Sequence, residues 1–199
     1  MSRAVEATPI VVVSGPPASG KTHVADALAD SLQLPLLAKD RIKEVLYDAL
    51  GTGDVAWSKR LGSAAMAVLY QSLETHLRAK QPVVVEANFA VEQARPILLR
   101  LRGLYRFAAF EVHCTAAADV LVARYRERSG PRHVGHLDAQ RVEEIATAIA
   151  EGRNAALELG GETLLLDTTH VDSVDLMRVV EAGRAHLTRH ARGGRGERS

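Results

Sequence analysis

An apolar, β-branched run, Ile10 to Val13, is followed by Gly15-Pro16-Pro17-Ala18-Ser19-Gly20, and Lys21 and Thr22 then open a stretch with helical spacing. Few features restrict a fold more. A strand buried on both faces must enter a turn whose glycines accept backbone angles closed to other residues, and the turn must lead straight into a helix. The spacing Gly15-x-x-x-x-Gly20-Lys21-Thr22 is that of a phosphate-binding loop. Its chemistry follows from its parts. Successive N–H groups converge on one centre, and the helix adds its positive dipole end. Lys21 reaches outer phosphates, and the Thr22 hydroxyl suits Mg²⁺. Gly15, Pro17, Ala18, Ser19, Gly20, Lys21 and Thr22 are therefore the candidate residues for a nucleoside triphosphate.

Four more apolar runs follow, near 34–39, 81–87, 106–114 and 162–167, after the first near 9–14. Helical spacing fills the gaps, over 21–32, 40–50, 58–80, 92–101, 116–127, 139–158 and 173–188. Strand–helix alternation of this kind predicts an α/β fold: a parallel sheet of five strands between helical layers. The chain has 199 residues, enough for one domain with a substantial core. Residues 9–189 read as that domain, 1–8 as a flexible N-terminus, and the Gly/Arg-rich stretch 190–199 as a disordered tail. The broken polar stretch around 129–137 reads as a lid. A net charge of +1 and 4% aromatic residues give no pull toward nucleic acid or a membrane surface. No signal-peptide core is visible, and Cys114 is the single cysteine, so the expected setting is the reducing cytoplasm. The long helix 58–80 offers a contact face without requiring one, which leaves monomer or homodimer open.

Three segments beyond the loop carry chemistry. Asp40 follows the second strand, where ligands bind in open α/β sheets. It suits a base for an attacking hydroxyl, or a cap for the next helix. Arg41 and Lys43 beside it are substrate contacts or a solvated helix face. Glu86 ends the third strand, the place for a carboxylate aimed at Mg²⁺ or its water. Asn88 and Phe89 follow and face the acceptor, unless Phe89 belongs to the core. Arg124 and Arg128 lie four apart on one helical face, with Arg132 in the loop beyond. Arginine suits the work because its fork pairs with phosphate and its plane stacks on a base. Trp57, after the Gly51–Ala56 stretch, is either an acceptor contact or core.

At these residues the chain resembles the small-molecule kinases of the P-loop superfamily. It is similar to the AAA-domain kinases, and to chloramphenicol phosphotransferase, zeta toxin and the kinase half of polynucleotide kinase. The resemblance spans roughly 9–180 and rests on three short motifs. The segment from Ala38 to Leu46 resembles the one that carries the catalytic aspartate, here Asp40. The run from Val83 to Phe89 resembles the third-strand motif, with Glu86 where aspartate is common. The segment from Ala123 to His133 resembles a lid; there Arg124 would pack on adenine, and Arg128 and Arg132 would reach phosphates. The last strand and its exit, Asp167 to Thr169, would line the adenine, which makes Thr168 a cofactor-binding candidate. The resemblance implies a three-layer P-loop NTPase fold with strand order 2-3-1-4-5 and a small lid.

Together these point to an ATP- and Mg²⁺-dependent phosphotransferase that acts on a hydroxyl of a small molecule such as a sugar, an antibiotic or another metabolite. Asp40, Lys21 and Arg128 would be catalytic. Arg41, Lys43, Trp57, Glu86, Asn88 and Phe89 would join Asp40 around the acceptor, and Thr22 and Glu86 would serve the metal. Two rivals remain: a polynucleotide 5′-hydroxyl kinase, which would want a basic groove, and a nucleotide-switch ATPase with no acceptor. The switch would leave Asp40 and the arginines without purpose.

Overall fold

The computed structural model describes residues 7–128 and 133–191. Five strands, β1 (Thr8–Ser14), β2 (Leu36–Ala38), β3 (Val83–Glu86), β4 (Phe107–Thr115) and β5 (Glu162–Asp167), form one sheet. Every pairing is parallel, and the order is β2-β3-β1-β4-β5. This is the order that the family resemblance implied.

The continuous apolar runs are explained by helices on both faces. Along β1, Ile10 and Val12 face a core built with Leu69, Leu73 and Leu77 of α3 (Val55–Arg78) and Leu98 and Leu101 of α4 (Val91–Tyr105). Val11 and Val13 face the other side. They meet Val24 and Leu28 of α1 (Lys21–Leu32) and Val179 and Val180 of α7 (Leu176–Ala191). The remaining helices are α2 (Lys39–Leu50), α5 (Ala118–Glu127) and α6 (Val142–Ala150).

Several helix bounds differ from the sequence reading, α4 running on to Tyr105 and α7 spanning Leu176–Ala191, and in two helices the cause is plain. The third starts at Val55, not 58, because the Asp54 carboxylate accepts the Trp57 N–H at 2.8 Å and caps the first turn. Trp57 is thus helical rather than in a loop. Along that helix Val68 is off the buried stripe, 44% exposed. The helix expected over 139–158 ends at Ala150, preceded by a 3₁₀ turn at Asp138–Arg141. Gly152 takes a left-handed φ of 65°, and the Asn154 amide leaves to donate to the carbonyls of Asn88 and Phe89 at 3.1 and 2.9 Å.

Further along, the chain is anchored by a buried carboxylate. Glu111 on β4 is 1% exposed. It accepts the Ser14 hydroxyl at 2.6 Å and the backbone N–H groups of Leu157 and Glu158 at 2.9 to 3.2 Å. Ser14 also lies 2.9 Å from His113 Nδ1, and burial pulls the His113 imidazole below its ordinary range. One side chain therefore anchors the return from α6, and it does so beneath the last residue of β1. Replacing Glu111 with Ala leaves these buried donors unanswered, and stability in urea should fall by about 3 kcal/mol or more, with Glu111→Gln intermediate. A loss under about 1 kcal/mol would show that water replaces the carboxylate.

Candidate functional site

The carboxyl ends of β1, β2 and β3 converge. Glu86 pairs in register with Val13 on one side and Ala38 on the other. The last residue of β3 therefore stands between the loop that leaves β1 and the start of α2. Ala38 occupies the cap position of α2, and Asp40 is that helix's second residue.

The loop's shape comes from three left-handed residues: Gly15 with φ 132°, Ala18 with 65° and Gly20 with 74°. At Gly15 no other residue fits, because a Cβ would lie 2.0 Å from the Cys114 carbonyl oxygen. Gly20 is the cap of α1, and Lys21 is the helix's first residue. Lys21 folds back so that its ammonium donates to the Pro16 carbonyl at 2.7 Å. Burial pulls this ammonium below its ordinary range, and Glu86 and Asp40 oppose that pull. Glu86, 4% exposed, is pushed up by burial and drawn back by Lys21. An anion above the loop would favour the charged lysine.

These groups line one cleft of about 230 Å³. Its wall holds Pro17, Ala18, Gly20, Lys21, Thr22 and His23 from the loop and α1. Opposite stand Lys39, Asp40, Glu86, Ala87, Asn88 and Arg128. The donor set suits a polyphosphate with a divalent cation: cations and loop amides for one, two carboxylates and the Thr22 hydroxyl for the other. Lys39 was passed over in the sequence; its ammonium holds Asp40 Oδ1 at 2.8 Å. A lysine one position from the aspartate, at a strand end, was the available signal.

The arginines of α5 are held differently. Arg128 donates from Nε to Asp138 at 2.9 Å and lies 4.4 Å over the Tyr125 ring. Tyr125 donates to the same carboxylate, and burial pushes its phenol up to about 12. Arg124 donates to the carbonyls of Thr168 and Thr169 at 2.8 and 3.0 Å. Thr168, buried, donates to the carbonyls of Ser19 and Thr115 at 3.2 and 2.9 Å. A continuous chain of bonds thus links the phosphate loop to α5. Arg132 lies outside the described residues. The part of the lid stretch that follows forms a short turn, Val134–His136, docked on α2. There the His133 ring stacks on Tyr47 at 5.1 Å and reaches Asp48 at 3.2 Å, while His136 reaches Glu44 at 3.0 Å.

Several candidates stand elsewhere. Arg41 is exposed and pairs with Asp26 at 2.6 Å, lining no part of this cleft. Phe89 is 1% exposed within the core. Trp57 pins the turn before α3, its indole donating to the Gly51 carbonyl at 2.9 Å. Lys43 is buried beside Ser58 at 3.0 Å and lines a second, adjoining cavity.

Residues 10–152, more than half of the chain, match the AAA_33 family, described as an AAA domain. No curated protein matches. A protein of Chloroflexus aurantiacus, described provisionally as a kinase, is 38% identical; the match covers 90% of this chain and 99% of that one, with a TM-score of 0.80. A sugar kinase from Janibacter shares the fold at 17% identity, covering 92% and 95% with a TM-score of 0.57. The tunicamycin resistance protein of Deinococcus radiodurans does so at 18%, covering 90% and 95% with a TM-score of 0.55. With its phosphate loop at the head of a 2-3-1-4-5 sheet, the chain belongs to the AAA_33 family of AAA-domain proteins, on the P-loop kinase fold.

Proposed function

We propose that the protein is an ATP-dependent phosphotransferase that moves the γ-phosphoryl group to a hydroxyl of a small molecule. One observation carries this reading over a nucleotide switch. The phosphate-loop cleft shares Lys39 and Asn88 with a second cavity of about 660 Å³, and Asp40, which lines the cleft, is held by the shared Lys39 at 2.8 Å. A switch has no use for a second chamber; a kinase needs one for its acceptor. The descriptions of structural relatives as kinases agree with it.

The chain's own residues divide the work. The loop amides from Gly15 to Thr22 would cradle the phosphates. Lys21, already aimed over the loop, would turn from Pro16 to the outer phosphates. Arg128, positioned by Asp138, would meet the transferring group from the other side. Mg²⁺, when bound by Thr22 and through Glu86, would neutralise charge on the phosphate oxygens. Asp40, fixed by Lys39, would take the proton of the acceptor hydroxyl as its oxygen bonds to phosphorus and the bridging bond to ADP breaks. Arg124 and Thr168 would border the base, and Asn88 would touch the acceptor. Arg41, Trp57 and Phe89 fall away as acceptor contacts, since neither cavity includes them.

The general test is ATP turnover across a panel of hydroxylated metabolites and antibiotics. One acceptor should raise ADP formation many-fold; uniform slow hydrolysis across the panel would favour a switch. On that acceptor, Asp40→Asn should still fold and bind ATP but lose about 10²–10⁴-fold in kcat, since an amide cannot take the proton. Near wild-type turnover would remove Asp40 from catalysis. Mg²⁺-ATP at about 100 times its Kd should add about 2.7 kcal/mol of stability to the wild type. That shift in melting temperature should vanish in Lys21→Ala. An equal shift in both proteins would remove the loop lysine from nucleotide binding.

A further inference from the structure

The second cavity is uneven in charge. Lys39, Lys43, Lys59 and Arg141 line it with one carboxylate, Glu144, and Lys39 also holds Asp40 from the adjoining cleft. That carboxylate is itself shared. Lys59 approaches it at 3.1 Å from α3, and Arg141 at 3.1 Å from the turn before α6. The Arg141 hydrogen bond, then Lys59, hold the Glu144 carboxyl below the usual carboxylate range, so its charge persists. One negative group thus answers two positive ones at that corner, and Lys43 adds another cation at the floor.

Gly62 is an independent sign. It lies inside α3 with ordinary helical backbone, where glycine costs roughly 0.5–1 kcal/mol against alanine. A Cβ at this position would stand 3.8 Å from both Cε and Nζ of Lys43. Gly62 itself lines the cavity, so a longer side chain there would take up space beside the Lys43 ammonium. Glycine keeps that approach open at the expense of helix stability. Along the same helix Met66 and Tyr70 offer an apolar wall for a carbon skeleton.

We infer that the acceptor is a small hydroxylated anion. A carboxylate or phosphate on it is held by Lys43, Lys59 and Arg141, while its hydroxyl points past Lys39 to Asp40. This rests on the phosphotransferase reading, and the cavity's volume fits a molecule of metabolite size. Four cations with Glu144 give the cavity a positive field, which favours an anion over a neutral sugar.

The test uses the whole chain saturated with Mg²⁺ and a non-hydrolysable ATP analogue, so that the phosphate loop is filled. Inorganic phosphate, D-glycerate and glycerol are then titrated by calorimetry. At least one anion should bind and glycerol should not. Tighter D-glycerate marks a carboxylate site, and tighter phosphate marks a phosphate site. Lys59→Met should weaken the anion about tenfold, the loss of one charge-assisted hydrogen bond. Gly62→Val should abolish it, with the analogue's affinity unchanged in both. No anion binding to the wild type, or equal binding to Gly62→Val, would overturn the inference. Failure of the analogue to bind is a different result and would overturn the phosphotransferase reading. The same titration of Lys21→Ala, with and without Gly62→Val, then decides the cavity alone.

Discussion

The site depends on one contact without a side chain: Gly15 against the Cys114 carbonyl, where a methyl group would stand 2.0 Å from the oxygen. Because that space is empty, the chain leaving β1 can turn across the end of β4. The loop then closes around its own centre, and α1 starts at Lys21. Beneath the same point Ser14 is fixed by Glu111, which also secures the return at Leu157 and Glu158. The turn is thus packed from above by what it lacks and held from below by a buried carboxylate. A deformable loop would spend binding energy on ordering itself; this one is preorganised.

Around it, charge is arranged in tension. Lys21 and Glu86 share a site where burial disfavours ions of either sign, with Asp40 beside them. Their mutual attraction offsets part of the cost. Lys39 adds a second cation close to Asp40. Perturbed groups of both signs in one cleft mark a place built for a charged ligand rather than for stability.

Much of the fold was legible because its signals are local. Runs such as Ile10–Val13 and Val83–Val85 can only be strands covered on both faces, and the loop signature is short and contiguous. Both ends of α1, Lys21 and Leu32, fall where the helical spacing put them. What escaped depends on distant partners. The stretch beyond α6 is anchored by Glu111, more than forty residues earlier, which takes the N–H groups of Leu157 and Glu158. The second cavity joins Lys43, Lys59 and Arg141 from separate elements, and no spacing announces such a meeting. Phe89 and Trp57 were ambiguous for a plain reason: an aromatic beside a motif reads the same whether it packs inward or touches a ligand.

Tyr47 has a mechanical consequence. Its hydroxyl meets Ser58 at 2.6 Å, its ring stacks on His133, and Gly135 is so close that a Cβ there would lie 2.7 Å from the ring. This phenol therefore joins α2, α3 and the turn Val134–His136 at one point. Arg128 and Asp138 continue the linkage from that segment to the phosphate loop's cleft. Under the proposed function, a triphosphate beside Arg128 and an acceptor beside Lys43 would bear on one connected set of contacts, since Lys43 also lies 5.2 Å from the Tyr47 ring.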